Sequence, residues 1–172
     1  EMSHGVTQAT ANLSYSGDSG GLNEANSDIF GTMVEFYANN PNDPGDYLIG
    51  EKLSSQPLRD MRGQSEDGAS YDCYKSGGFG GVDPHYSSGP ANHFFYLLAE
   101  GSNGSKVCQA SDTRVATGNG SLSGIGKDKA SAIWYKALVT YMTSGTTYPQ
   151  ARQATLDAAR DIYGAGSAEQ NA

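Results

Sequence analysis

Residues 23–38 read NEANSDIFGTMVEFYA. Ile29, Met33, Phe36 and Tyr37 recur at three- and four-residue intervals, the spacing that lines one face of an α-helix. The stretch is therefore predicted helical, with those four side chains turned inward. Glu24, Asp28, Gly31 and Glu35 fall on a second stripe of the same helix. Acids on an exposed face are ordinary, but a glycine in mid-helix costs about 1 kcal/mol relative to alanine. The expectation is that another segment approaches closely at Gly31.

Periodicity can be followed outward from this helix. Upstream, EMSHGVTQ at residues 1–8 reads as a helix already under way. Downstream, residues 87–101 (SSGPANHFFYLLAEG) are predicted helical. Ser88 is the expected cap, Pro90 suits the first turn, Ala91, Phe94, Phe95 and Leu98 form the apolar face, and Gly101 stops it. Residues 127–142 (KDKASAIWYKALVTYM) turn Ala130, Ile133, Trp134, Ala137, Leu138 and Tyr141 inward. A last clear helix, at 148–164, starts at Pro149 and stops at Gly164.

Residues 39–86 behave differently. NNPNDPGDYLIG and GQSEDGASYD are turn clusters, with a short helical or extended piece around 50–54. An irregular section this long in a compact domain points to metal or substrate binding, with an ordinary surface excursion as the alternative. No series of alternating strands is legible. The predicted fold is mainly α, one helical bundle with long functional loops spanning residues 1–172.

Composition narrows the function classes. A chain of 172 residues, 37% hydrophobic and 17% charged, can bury one moderate core. Its formal charge of -8 disfavours nucleic acid and anionic membrane, which call for clustered Lys and Arg. No apolar run approaches the roughly 18 residues needed to span a bilayer. The two cysteines, Cys73 and Cys108, lie in polar loops. Free buried thiols are one reading of them. A disulfide is the favoured one, stabilising by about 3–4 kcal/mol and implying an oxidising, extracellular setting.

The polar residues offer chemistry only in combination. Glu1 and His4 sit three apart on one predicted helix, a pairing common by chance. A glycine-rich turn can fold Glu24 back against them, and imidazole nitrogen and carboxylate oxygen are both good zinc ligands. Tyr15 is a phenolic donor. Asp83, two residues before His85, can fix that imidazole's tautomer, though an Asp and a His on a surface turn would look the same. GGFGG lacks the lysine and context of a phosphate loop, GSNGS is no nucleophile elbow, and there is no CxxC pair.

Three stretches taken together carry a pattern: EMSHGVTQATANLSY at 1–15, GGLNEANSDIFG at 20–31 and GVDPHYSSGPANHFFYLL at 81–98. They resemble the thermolysin family of secreted zinc metalloendopeptidases, in its vibriolysin and pseudolysin-like branch, and the likeness covers nearly the whole chain in order. The resemblance implies the helical C-terminal lobe of a two-lobed enzyme. It implies His4 and Glu24 as zinc ligands, and Glu1 as the carboxylate that takes a proton from the attacking water and passes it to the leaving amine. Asp28 would orient a first zinc histidine one position before residue 1, and Asp83 would orient His85. His85 and Tyr15 would donate to the oxyanion, and Arg59 would hold a substrate carbonyl on the leaving-group side. Ile49, Leu53 and Leu58 resemble the wall of an apolar pocket for the residue after the scissile bond.

The same resemblance implies Ca2+ alongside Zn2+. Glu35, Asp46 and the Leu48 carbonyl are the expected calcium ligands, with Asp43 competing for the role of Asp46. Protein or peptide substrates and an N-terminal lobe are the expected partners, and an exposed cleft face would favour oligomerisation. Both ends read as cut, because a histidine is expected before Glu1 and the helix begun at Ser167 stops early. On that expectation the parent protein cleaves peptide bonds before hydrophobic residues, whereas this chain alone has little or no activity. The alternative is a noncatalytic helical fragment acting as a folding or interaction module.

Overall fold

The computed structural model describes residues 2–172. Seven helices appear among them: α1 (Met2–Ala9), α2 (Gly17–Ala38), α3 (Pro84–Ser87), α4 (Gly89–Glu100), α5 (Lys127–Thr140), α6 (Tyr148–Tyr163) and α7 (Ala168–Asn171). Two short strands, β1 (Leu48–Ile49) and β2 (Arg59–Asp60), pair antiparallel with Leu48 opposite Asp60. The mainly helical architecture is the one the periodicities predict.

Helix α2 is the central element and packs against α1, α3, α4, α5 and α6. Its first six residues, GDSGGL, escaped the periodicity because Gly20 and Gly21 stand where apolar side chains would mark a face. Those glycines let neighbours in: a Cβ at Gly21 would lie 2.5 Å from the Ser87 carbonyl oxygen. Gly31 is the opposite case and corrects the expectation above. A Cβ there would meet nothing within 4 Å among the described residues.

The core gathers Leu22 and Ile29 from α2, Phe95 from α4, and Ile133, Trp134 and Leu138 from α5. Burying each such side chain stabilises by about 1.5–3 kcal/mol before the entropy of ordering is counted. Four local expectations are corrected. Tyr37 is 91% exposed, because the neighbours of α2 cover its N-terminal half and leave its last turn to solvent. Tyr141 is only half-buried and turns its hydroxyl to Asp161. The Ser88 hydroxyl donates to the His85 carbonyl and caps nothing; the side-chain cap in this region is Asp83, at the start of α3. Residues 50–54 form turns, and the extended pieces lie on either side of them as β1 and β2. Helix α6 gains a capping box the sequence reading passed over, Thr147 with Gln150.

The loops hold their shape through carboxylates and a bridge. The Asp72 side chain accepts from Ser65 N at 2.8 Å, Ser65 Oγ at 2.7 Å and Ala116 N at 2.9 Å. Cys73 and Cys108 form a disulfide, as favoured from sequence. Met61 and Phe79, both from the irregular section, are fully buried, so this section completes the core as well as lining the site.

Candidate active site

Three elements and one turn converge on Glu24. Helix α1 presents His4, α2 presents Glu24, the turn between them presents Tyr15, and α3 presents His85 near its start. His4 Nε2 stands 3.4 Å from Glu24 Oε1, and His85 Nε2 stands 3.7 Å from Glu24 Oε2. The Tyr15 hydroxyl donates to Glu24 Oε1. Glu24 itself is buried, so the three groups surround a carboxylate with little access to water.

Asn23 fixes the orientation of the His4 ring. Its Nδ2 donates to the Leu13 carbonyl at 2.8 Å, which leaves Oδ1 to accept from His4 Nδ1 at 2.7 Å. A neutral imidazole so held turns the lone pair of Nε2 toward the Glu24 carboxylate. Two lone-pair donors 3.4 Å apart repel unless a proton or a metal cation lies between them. Two ligand atoms about 2.0–2.1 Å from a tetrahedral zinc stand about 3.3–3.4 Å apart. The donor set and its spacing fit that metal.

The remaining groups frame the same cleft, a cavity of about 540 Å³ that His4, Tyr15, Glu24, Asp28, Arg59 and His85 all line. Asp83 Oδ1 accepts from both the backbone N–H of His85 at 2.9 Å and its Nδ1 at 2.8 Å. Those two contacts pull the Asp83 pKa below its ordinary value. Burial, and then the hydrogen bond to Glu24, push the Tyr15 pKa well above its ordinary value, so the phenol keeps its proton at neutral pH. Arg59 grips Asp28 with two bonds of 2.7 Å, and Asn92 Nδ2 adds a third at 2.7 Å. Of the expected pocket residues, Ile49 and Leu58 line the cleft while Leu53, 78% exposed, does not. Glu1 lies outside the described residues.

The acidic cluster differs in membership from its sequence reading. Oxygens of Glu35, Asp43 and Glu51 lie within 4.8 Å of one another. Asp46 stands aside from that trio: its Oδ1 accepts from Leu48 N at 2.7 Å and its own N–H donates to Glu35 Oε2 at 3.2 Å. Between Asp43 and Asp46, the geometry groups Asp43 with Glu35. Hard oxygen donors of this kind suit calcium. Burial first, and then the neighbouring acids, raise the Glu35 pKa against the opposing pull of the Asp46 N–H. Sequence reasoning missed Glu51, Asn23 and Asn92. Glu51 stands two residues beyond Ile49 in a turn with no periodicity, and the two asparagines look like ordinary helix polar residues.

A mainly helical domain that places an imidazole and a carboxylate, one cation's width apart, where its first two helices meet is the class of structure described so far. The family model for the thermolysin metallopeptidase alpha-helical domain matches residues 11–172, and the chain belongs to that family. It is 54% identical over 171 residues to the transglutaminase-activating metalloprotease of Streptomyces mobaraensis, a match covering 97% of this chain and 22% of that protein. It is 41% identical over 177 residues to bacillolysin of Bacillus cereus, covering 98% of this chain and 28% of that protein. Among solved structures, the precursor of protealysin, a metalloproteinase from Serratia proteamaculans, superposes with a TM-score of 0.66 at 26% identity, over 98% of this chain and 51% of that one. The chain thus spans about a quarter of the length of these curated relatives.

Proposed function

We propose that this chain is the helical catalytic lobe of a secreted zinc metalloendopeptidase that cleaves peptide bonds before hydrophobic residues. The observation that carries the reading is the 3.4 Å separation of His4 Nε2 and Glu24 Oε1, with the imidazole tautomer set by Asn23. His4 and Glu24 would hold the metal. Zinc, when bound, supplies a Lewis acid that polarises a carbonyl and lowers the pKa of water from about 15.7 toward 7.

The chain's own residues supply the rest. Tyr15 keeps its proton and offers an O–H donor to the oxyanion. His85, held at Nδ1 by Asp83, performs the same task from Nε2 as the imidazolium, in which both ring nitrogens carry a proton. Glu1 takes the proton of the attacking water and returns it to the leaving amine. Arg59 holds the carbonyl beyond the scissile bond, and Ile49 and Leu58 give the apolar wall that prefers hydrophobic side chains. Glu35, Asp43 and Glu51 bind calcium and brace the loop beside that wall, with Asp46 and Leu48 shaping its turn. The disulfide favours an extracellular setting.

A second lobe would contribute the other side of the cleft, so this chain alone has little or no activity. The test joins it to the N-terminal lobe of a relative and measures cleavage of peptides with a hydrophobic residue after the scissile bond. Cleavage that is lost in Glu24→Ala supports the assignment, and unchanged cleavage in that variant removes it. Turnover by this chain alone, with zinc and calcium added, would overturn the division of labour between lobes.

A further inference from the structure

We propose that Asn92 is a positioning residue for the cleft. Its amide holds the Asp28 carboxylate and, through that carboxylate, the Arg59 guanidinium. What Arg59 does for a substrate rests on the peptidase reading above, whereas what Asn92 does to Asp28 rests on geometry alone.

Three separate elements meet here: Asp28 comes from α2, Arg59 from β2 and Asn92 from α4. Arg59 Nε and Asn92 Nδ2 both donate to Asp28 Oδ2 at 2.7 Å, and Arg59 Nη2 donates to Asp28 Oδ1 at 2.7 Å. A bidentate arginine–carboxylate pair is rigid within itself. It can nevertheless swing as one body about the torsions of the aspartate side chain. A third donor, from a helix that carries neither partner, removes that freedom. Arg59 lines the cleft, and its Nη1 makes no hydrogen bond among the described residues, so the guanidinium retains a donor for a ligand.

Asn92 does little else. It is fully buried, and its Oδ1 finds no hydrogen-bond partner among the described residues. A buried amide with an orphaned oxygen is a poor choice for packing, since an apolar side chain of like volume would leave nothing unsatisfied. Among the described residues its one side-chain hydrogen bond is the contact to Asp28. Leaving Asp28 with one donor fewer is the consequence an apolar residue would have.

The experiment has two arms, with Asn92→Ala and the near-isosteric Asn92→Leu, which keeps the volume and loses the donor. In this chain, the Arg59 Nε–H is followed by proton–nitrogen NMR. Its exchange with water should quicken by about tenfold in either variant while the amides of α2 and α4 keep their protection. In the chain joined to a second lobe, KM for a peptide should rise by about fivefold with kcat within about twofold of the parent, the split expected when a binding contact loosens. Unchanged Arg59 exchange overturns the proposal. So does a fall in kcat at constant KM, which tracks lost folded protein, and so does failure of both variants to fold, which assigns Asn92 to the core alone. If the unsubstituted two-lobed protein hydrolyses no peptide, the peptidase reading fails by itself, and the exchange measurement still decides Asn92.

Discussion

The two walls of the cleft are built on different principles. One is helical: His4 on α1 and Glu24 and Asp28 on α2 are carried by regular backbone, and each side chain points where a period of 3.6 residues sends it. The other is made of turns: Leu48, Ile49, Leu58 and Arg59 sit on a two-residue hairpin inside a long irregular section. The helical wall is held by packing around α2. The irregular section is held by what its side chains do to its backbone, above all the Asp72 contacts, the Cys73–Cys108 bridge and the grip of Asp28 on Arg59. Regular structure positions chemistry through periodicity, and irregular structure positions it through individual polar bonds. Lesions should therefore spread differently on the two sides.

The largest expected effect falls on the irregular side. Replacing both Cys73 and Cys108 by Ser opens a loop of sequence separation 35 and should cost about 3–4 kcal/mol in urea unfolding. If stability is unchanged, the contrast between the walls is wrong at its root. Next, His85→Ala in the two-lobed protein should lower kcat/KM by about 10²-fold, near 3 kcal/mol, while the melting temperature of the lobe stays within a few degrees. A loss of stability as large as the loss of activity would show that α3 belongs with the turns.

A smaller effect tests the polar bonds by pH. His93 is buried, bonded to the Asp72 carbonyl at 3.3 Å and Ser105 Oγ at 3.2 Å, and its burial depresses its pKa below the ordinary 6.5. The unfolded chain therefore takes up this proton before the folded one does. The stability contribution of the neutral imidazole is complete above pH 6.5 and is lost as pH falls through that value toward the folded pKa, by at most about 1.4 kcal/mol per pH unit. His93→Gln should flatten that part of the curve, as read from urea midpoints across the acid range. Smallest of all, Tyr37→Ser on the exposed end of α2 should change stability by no more than about 0.5 kcal/mol, and a larger change would mean the helical wall has a partner on that face.

The same contrast explains what could be read in advance. Ile29, Phe95, Ile133, Trp134 and Leu138 declared themselves by spacing, and all five are buried. The stripe of Glu24, Asp28 and Glu35 was legible for the same reason, and all three line the cleft. Tyr37 misled because periodicity gives a face but not the point at which neighbours stop covering it. Gly31 misled because a glycine advertises room without saying whether anything fills it. Glu51 and Asn92 carried no signal: one lies in a turn, the other on a helix where an amide is unremarkable, and only the fold brings them beside Asp43 and Asp28.

Tyr148, at the start of α6, is buried and donates its hydroxyl to the carbonyl of Ser87, 61 positions earlier and two residues past His85. The imidazole on α3 is thereby anchored from a segment that leaves the ribosome long after it. A nascent chain would have made most of its helices before this corner of the cleft could settle. A helix made later thus governs when the site becomes whole, and damage to it reaches the cleft without touching it.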